Sequence, residues 1–140
     1  NYIHITSITR DYIDFAVRNK HFQGWEGEPD ITTFDLPSRT VVAVFEGFFD
    51  FLSALVFYGL EAPRMPTVIL NSTANRKKSI YYLRQFEQVN CFLDRDQAGR
   101  DCLRLLSNVE GLNVKDCSTL YAGFKDFNEF LMSKQTKMVS

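Results

Sequence analysis

The sequence VVAVFEGFFD at residues 41–50, read together with CFLDRDQAG at residues 91–99, decides the fold. Each stretch begins as a short apolar run and ends in carboxylates beside a glycine. This pattern is typical of a buried parallel strand that delivers acids to one edge of a sheet. Open α/β sheets bind ligands at the carboxyl ends of their strands. We therefore expect Glu46, Asp94 and Asp96 to meet at that edge.

From Thr40 onward, apolar runs of strand length alternate with segments of helical periodicity. The predicted strands cover residues 41–45, 67–70, 89–93 and 112–114. The predicted helices cover residues 51–58, 73–86, 98–106 and 127–132. Gly59 is expected to cap the end of the first helix, and Thr73 the start of the second. Such alternation predicts an α/β fold with a central, mostly parallel sheet of about four strands flanked by helices.

The N-terminal part of the chain has a different pattern. Residues 2–6 and 12–18 alternate apolar and polar side chains around a short turn, which predicts a small antiparallel β-hairpin. A loop follows, and residues 31–34 are compatible with a further strand. The C-terminal tail is polar, and we expect it to fray. The chain is thus divided into a hairpin and linker segment at residues 1–39, a catalytic α/β domain at residues 40–133, and a polar tail at residues 134–140.

The bulk composition excludes several classes of protein. The 140 residues carry a formal net charge of −1, which excludes a polycationic nucleic-acid binder but not a local basic groove. The cysteines Cys91, Cys102 and Cys117 lack CxxC spacing, so we expect reduced thiols in a cytoplasmic protein rather than disulfides or a zinc site. The longest apolar run is too short to span a bilayer. Because the chain opens directly on strand-like residues, we expect it to be a domain of a longer protein.

The sequence Asp94-Arg95-Asp96 carries the clearest chemical signal. Side chains two positions apart in an extended chain point the same way, so both carboxylates face one point. Like charges held side by side are destabilising unless a cation offsets them, and carboxylate oxygens favour Mg²⁺ or Mn²⁺ over Zn²⁺. The structural alternative is that Asp96 caps the following helix and Asp94 pairs with a lysine or arginine.

A second acidic motif, Glu46-Gly47-x-x-Asp50, follows the first strand of the predicted sheet. Gly47 allows the backbone to turn sharply or to approach a ligand closely. Asp50 lies four residues after Glu46, near the start of the next helix. The alternative is that Asp50 caps this helix and that Glu46 is a solvated strand end.

The sequence Lys125-Asp126-x-Asn128 follows the last strand. Lys125 can reach a phosphate as a point charge. Asp126 and Asn128 again lie two positions apart, so both are candidates for the same acidic site. The alternative is strong here, because an acid is also favourable at the start of a helix.

Three basic residues, Arg76, Lys77 and Lys78, lie near the start of the second helix. Free backbone N–H groups at a helix start favour phosphate oxygens, and the basic side chains would add charge. A capped helix with a solvated basic turn explains the same residues equally well.

The motifs EGFFD (residues 46–50) and DRDQAGR (residues 94–100), each at a strand end, together resemble the Toprim domain. This domain is shared by bacterial primases and by topoisomerases, and the resemblance covers residues 40–132. The segments LNSTAN (residues 70–75) and KDFNEFL (residues 125–131) are most similar to primase-like Toprim proteins of bacterial mobile elements.

The resemblance implies a role for each acid. It implies that Asp94 and Asp96 bind Mg²⁺. It also implies that Glu46 is the general acid/base or an acid beside the metal, and that Asp50 belongs to the same cluster.

Two further positions follow from the same resemblance. Asp126 falls where primases carry an additional metal-site aspartate. The next acid of the primase pattern falls at Asn128, which is a neutral ligand in this chain, so a second or third metal would be held more weakly.

The resemblance further implies Mg²⁺-dependent nucleotidyl transfer, with Mn²⁺ as a substitute ion. The reaction would be RNA primer synthesis on a DNA template, in DNA replication or mobile-element transfer. DNA template and nucleotides are the implied partners, and zinc-binding and helicase-interacting domains would lie elsewhere in the full-length protein. Two alternatives stay open: a metal-dependent nuclease on the same scaffold, and a catalytically silent DNA-binding module.

Overall fold

The structure is a computed structural model that describes residues 30–139, with side chains described as far as Gln135. The predicted hairpin at residues 2–18 lies outside the described residues. Within them the strands are β1 (Thr32–Phe34), β2 (Val41–Phe45), β3 (Thr67–Ile69), β4 (Gln88–Phe92) and β5 (Val114–Asp116). The α-helices are α1 (Phe48–Tyr58), α2 (Arg76–Leu83), α3 (Gln97–Ser107) and α4 (Phe127–Val139).

The strands form one sheet in the order β1-β3-β2-β4-β5. β2, β3, β4 and β5 run parallel, whereas β1 pairs antiparallel with β3 at one edge. The prediction of an α/β fold with a mostly parallel sheet is therefore confirmed, and the segment at residues 31–34 supplies an additional, antiparallel strand. Val44 is paired with Cys91 and Phe45 with Phe92. Because β2 and β4 end at the same level, the residues after them emerge side by side.

Helices cover both faces of the sheet, as the continuous apolar run of β2 predicts. Val42 and Val44 point into a core shared with α2 and α3. Ala43 and Phe45 point to the opposite face, into a core shared with α1 and α4. The strand thus buries alternate residues on opposite sides, and only its ends reach polar surroundings.

The first helix confirms the predicted glycine cap. Gly59 adopts a left-handed conformation with φ of 66°, and its N–H is directed at the carbonyl oxygens of Leu55 and Val56. The helix begins at Phe48 rather than at Phe51, since the N–H of Phe51 already donates to the carbonyl oxygen of Gly47 at 3.3 Å.

The segment predicted as one helix over residues 73–86 is divided. A 3-10 turn at Thr73–Asn75 precedes α2, which ends at Leu83. The turn is capped by Ser72 rather than by Thr73, since the Ser72 hydroxyl accepts the N–H of Ala74 at 3.2 Å. Both residue types can cap, and only the backbone geometry distinguishes them.

The last helix is longer than the sequence predicts. α4 continues to Val139, whereas a fraying tail is expected after Ser133. Phe127 and Leu131 anchor its first turns, because both side chains are buried. A bilayer-spanning helix needs about 20 apolar residues, and none of the helices within residues 30–139 meets that requirement.

Gly99 determines how closely α3 approaches the end of β4. A Cβ atom at position 99 would lie 1.9 Å from the carbonyl oxygen of Asp94, so an alanine there must push the helix and the strand end apart. We expect Gly99→Ala to lower the free energy of unfolding by about 1–3 kcal/mol, the usual effect of overpacking. Urea denaturation measures the loss.

Gly47→Ala is the matched control. A Cβ atom at position 47 would meet a carboxylate oxygen of Asp50 at 3.8 Å, an ordinary contact, and the backbone is extended with φ of −131°. We expect this variant to lose less than about 1 kcal/mol, because only the preference at the helix start changes. Equal losses in the two variants would contradict the explanation by close approach.

Candidate metal centre at the carboxyl edge of the sheet

The ends of β2 and β4 are tied together by two of the predicted site residues. Glu46 follows β2 directly, and its Oε2 accepts the backbone N–H of Asp94 at 2.8 Å. The geometry depends on the level register of the two strands, which brings the residue after one strand beside the residues after the other. This hydrogen bond fixes the Glu46 carboxylate at the carboxyl edge of the sheet.

The acidic side chains at this edge form two overlapping groups. In one group, a carboxylate oxygen from each of Glu46, Asp94 and Asp96 lies within 4.8 Å of the others. In the other group, the oxygens of Asp50, Asp94 and Asp126 lie within the same distance of one another. The structure thus brings together all the acids that the sequence identifies as metal candidates, and Asp94 belongs to both groups.

Asp96 has two functions in this arrangement. Its Oδ1 accepts the N–H of Gly99 at 2.8 Å and so caps α3, as the structural alternative for this residue requires. Its Oδ2 lies 4.0 Å from the Nζ of Lys125. One oxygen therefore holds the helix start, while the carboxylate still faces the acidic group.

The same alternative also requires Asp94 to pair with a lysine or arginine, and the described residues do not provide such a pair. Among the side chains of residues 30–135, the acids in ion pairs are Asp35, Asp96 and Asp101. The Oδ1 atom of Asp94 is buried and has no hydrogen-bond partner among the described residues. Buried carboxylate oxygens are normally satisfied, so an unsatisfied one at the centre of two acidic groups fits a cation ligand.

Burial and crowding make these acids difficult to ionise together. Burial, with the nearby charges of Asp94 and Asp96, raises the pKa of Glu46 to about 7. Burial, with the charges of Asp126 and Asp94, raises the pKa of Asp50 to about 8. The pKa of Asp94 is raised as well, mainly by burial and by Asp126. Without a cation the cluster therefore retains protons near neutral pH.

The segment before α4 brings Asp126 to the cluster. The backbone N–H of Arg95 donates to the carbonyl oxygen of Lys125 at 2.6 Å, which joins this segment to the end of β4. Asp126 Oδ1 accepts the N–H of Glu129 at 2.8 Å, and Glu129 Oε2 accepts the N–H of Lys125 at 3.2 Å. Asp126 therefore starts the helix, as its alternative predicts, and also lies within the acidic group.

Asn128 contacts the cluster through its backbone. Its N–H donates to Oδ1 of Asp50 at 3.2 Å, which orients that carboxylate. Its side-chain oxygen lies 3.0 Å from the hydroxyl of Ser53 on α1. The amide that the resemblance suggests as a neutral ligand thus links α4 to α1. Sequence reasoning did not identify the part played by Ser53, because the two residues are far apart along the chain.

The predicted basic residues at the start of α2 separate into two kinds. Lys77 and Lys78 are exposed. Arg76 folds back, its Nη1 donating to the carbonyl oxygen of Thr73 at 2.8 Å, and its buried Nε has no hydrogen-bond partner among the described residues. Burial and the charge of Glu46 raise the pKa of the Cys102 thiol to about 11, and Arg76 opposes this shift.

The raised pKa values predict how the stability of the metal-free protein depends on pH. The folded-state pKa values of Glu46 and Asp50, about 7 and about 8, exceed the usual carboxyl values near 4. Their stabilising protons are fully bound below about pH 4 and are lost as the pH rises through about 7 and 8. We expect the Tm in EDTA, measured by calorimetry, to fall as the pH rises from about 4 to about 8.

Asp50→Asn tests the origin of this dependence. The variant keeps an oxygen that accepts the N–H of Asn128 but has no carboxyl to titrate, so its Tm is expected to fall less between pH 5 and pH 8 than that of the unmodified protein. Asp101→Asn, an exposed position on α3, is the control and is expected to keep the full dependence. A Tm that rises or stays constant over this range in the unmodified protein would contradict the account.

The fold is similar to those of solved viral proteins. The primase fragment of the bacteriophage T7 primase-helicase protein matches with a TM-score of 0.54 and 22% identity, over 71% of this chain and 42% of that chain. A second structure contains bacteriophage T7 lagging-strand DNA polymerase interacting with primase domains of two gp4 subunits bound to an RNA/DNA hybrid and dTTP. It matches with a TM-score of 0.51 and 23% identity, over 71% of this chain and 51% of that chain. At this identity the likeness concerns the fold.

The matching region contains the acidic edge in full. The chain spans about half of these solved chains or less. No curated protein matches the sequence. The family model described as Toprim-like (Toprim_2) matches residues 43–131, from β2 to α4, and so includes both acidic motifs and Asp126. The resemblance to the Toprim domain is therefore confirmed, and the chain belongs to the Toprim-like family.

Proposed function

We propose that this chain is the Toprim domain of a DNA primase-like protein and supports Mg²⁺-dependent nucleotidyl transfer, the synthesis of an RNA primer on a DNA template. The observation that carries the proposal is the position of Asp94. It belongs to both acidic groups, and its buried Oδ1 has no partner among the described residues. The similarity in fold to the T7 primase fragment supports the same class of protein.

The donor set fits a hard divalent cation. All the acids of the two groups offer carboxylate oxygens, which Mg²⁺ and Mn²⁺ prefer, and neither group contains a cysteine or histidine. Glu46, Asp94 and Asp96 would hold one ion. Asp94, Asp50 and Asp126 would hold a second. When bound, Mg²⁺ orients the phosphates of a nucleotide and neutralises charge on the transferring phosphoryl group.

Glu46 is the residue to which we assign proton transfer. In nucleotidyl transfer a 3′-hydroxyl attacks the α-phosphorus of a nucleotide, its proton goes to Glu46, and pyrophosphate leaves. A carboxylate oxygen of Glu46 lies within 4.8 Å of oxygens of Asp94 and Asp96, so Glu46 is beside the ion that these acids would hold. The hydrogen bond from the Asp94 N–H to Oε2 keeps the carboxylate in a fixed orientation.

The basic residues around the edge are assigned to phosphates. Lys125 is exposed beside Asp96, so it can contact the phosphates of a nucleotide held at the acids. Lys77 and Lys78 are exposed and are assigned to the template backbone. Arg76, which lies directly before Lys77 at the start of α2, is assigned to the same backbone.

The full activity requires more of the protein than this chain. The chain spans 42% of the T7 primase fragment and 51% of the primase chain in the second complex. We assign template recognition by a zinc-binding domain and contact with a helicase to parts of the protein outside this sequence. The setting is the cytoplasm, in DNA replication or mobile-element transfer. The RNA/DNA hybrid and dTTP in the T7 complex support nucleic acid and nucleotide as partners.

Asp94→Asn tests the metal centre, because it removes the charge that both acidic groups share. We expect Mg²⁺ affinity and Mg²⁺-dependent nucleotide incorporation to fall by more than about 100-fold, since loss of a residue that only supports a ligand already costs about 10–100-fold. The fold remains intact, and the Tm in EDTA at pH 8 rises because repulsion is relieved. Calorimetry, a template-dependent incorporation assay and thermal unfolding measure these changes.

Asp101→Asn, outside both acidic groups, is the control and is expected to match the unmodified protein in all three measurements. Cleavage of the template strand is followed in the same Mg²⁺ reactions. Cleavage without incorporation would show the nuclease alternative instead. Absence of Mg²⁺ and Mn²⁺ binding, with no effect of Asp94→Asn, would show a catalytically silent module.

A further inference from the structure

The segment around α2 concentrates positive charge in a chain that is nearly neutral. Residues 62–86 contain no aspartate or glutamate, whereas the chain as a whole has a net charge of −1. The basic residues of this segment are Arg64, Arg76, Lys77, Lys78 and Arg84. A local field of one sign on a nearly neutral protein attracts a polyanion to that place.

Four exposed side chains lie on the outer side of α2 and of Arg84, the residue that caps its end, and form what we call the basic face. At 3.6 residues per turn, Lys77, Lys78, Tyr81 and Arg84 fall on one side of the helix. All four are exposed, whereas Ser79 and Leu83 on the opposite side are buried. The basic face therefore combines three cations with an aromatic ring and contains no acid.

The ring of Tyr81 has no packing role comparable to that of its neighbour. Tyr81 is 88% exposed, the largest exposure among the large hydrophobic side chains of the described residues. Tyr82 instead donates its hydroxyl to Asp35 at 2.7 Å and packs against Phe86, with the ring centroids 5.3 Å apart. An aromatic side chain that is held away from the core beside cations is available to stack on a flat partner.

The three cations of the basic face are not engaged in ion pairs with the described side chains. Among the side chains of residues 30–135, the basic residues in ion pairs are Arg39, Arg104 and Lys125, and none of these lies on α2. Three cations on one helix without acidic partners repel one another, and a bound polyanion removes that repulsion.

The basic face begins at the edge of the sheet that carries the acids. β3 runs parallel to β2, so the connection from β3 into α2 starts at the carboxyl edge, where Glu46 lies. From Lys77 to Arg84 the helix then rises about 10 Å away from that edge. A strand bound along the face would therefore have one end beside the acidic cluster.

We infer that the basic face of α2 binds single-stranded nucleic acid, with Lys77, Lys78 and Arg84 contacting phosphates and Tyr81 stacking on a base. Cations that follow a backbone, interleaved with an exposed aromatic ring, are the combination that binds single strands without sequence preference. The identification of this strand as the template rests on the proposed function, whereas the binding itself needs no metal.

The experiment measures binding of a fluorescein-labelled oligothymidylate of about 16 nucleotides to the full chain in EDTA, by fluorescence anisotropy over a range of salt concentrations. Tyr81→Ala is expected to weaken binding about 5- to 150-fold, the usual loss for one stacked base, and Tyr81→Phe to keep it. Replacing Lys77, Lys78 and Arg84 by alanine is expected to reduce the slope of log K against log salt by about 2, at about 0.7 per phosphate contact.

The control replaces Arg64, Arg104 and Lys115, all exposed and outside the basic face, by alanine. This control removes the same net charge as the triple variant of the basic face, so it distinguishes local contacts from the general electrostatic field. We expect it to bind oligothymidylate as the unmodified protein does. Equal weakening in the two triple variants, or no binding by the unmodified protein at low salt, would overturn the inference. Competition by polyglutamate as strong as by unlabelled oligothymidylate, with no effect of Tyr81→Ala, would overturn it in favour of an acidic protein partner.

Mg²⁺ calorimetry on the same variants separates this inference from the proposed function. The variants of the basic face are expected to keep the Mg²⁺ affinity of the unmodified protein, because none of the changed residues belongs to the acidic groups. Loss of Mg²⁺ affinity in these variants would contradict a separate binding surface. If Asp94→Asn disproved the metal centre and still bound oligothymidylate as the unmodified protein does, that result would support the inference about the basic face.

Discussion

Five carboxyl groups are held close together at the ends of two neighbouring strands, and the electrostatic cost of this arrangement is the main constraint on the structure. Glu46 and Asp50 have pKa values of about 7 and about 8 because burial removes the water that would otherwise stabilise their charges. Lys125 offsets part of the charge on Asp96, and backbone N–H groups satisfy single oxygens, but Oδ1 of Asp94 has no partner among the described residues. A divalent cation bound among these acids would relieve both the repulsion and the unsatisfied oxygen.

Backbone contacts keep the acids together despite this repulsion. Gly99 brings the first turn of α3 against the carbonyl oxygen of Asp94, and the N–H of Asp94 donates to Glu46. The N–H of Arg95 joins the end of β4 to the segment that carries Asp126. The Gly99 and Arg95 contacts use only backbone atoms, so they can persist when the carboxylates gain or lose protons and ions. The buried cores on both faces of the sheet supply the stability that such a strained edge requires.

The parts of this arrangement that the sequence predicts are those with local signals. The apolar run before Glu46 predicts its strand, and the spacing of Asp94 and Asp96 predicts carboxylates that face one point. The parts that it does not predict depend on distant neighbours. Gly99 is visible in the sequence, but its contact with a strand carbonyl is not. The capping residue Ser72 is equivalent by type to the predicted Thr73, and the link between Ser53 and Asn128 joins residues on separate helices.

Anomalous diffraction from crystals of this protein soaked in Mn²⁺ would locate the cation itself. We expect a peak within coordination distance of the Asp94 carboxylate, shared with Glu46 and Asp96 or with Asp50 and Asp126. Movement of the Asp94 side chain so that its Oδ1 becomes a ligand would agree with this account. Well-ordered acids at the same positions with no peak among them, at a Mn²⁺ concentration that produces peaks elsewhere on the protein, would contradict it.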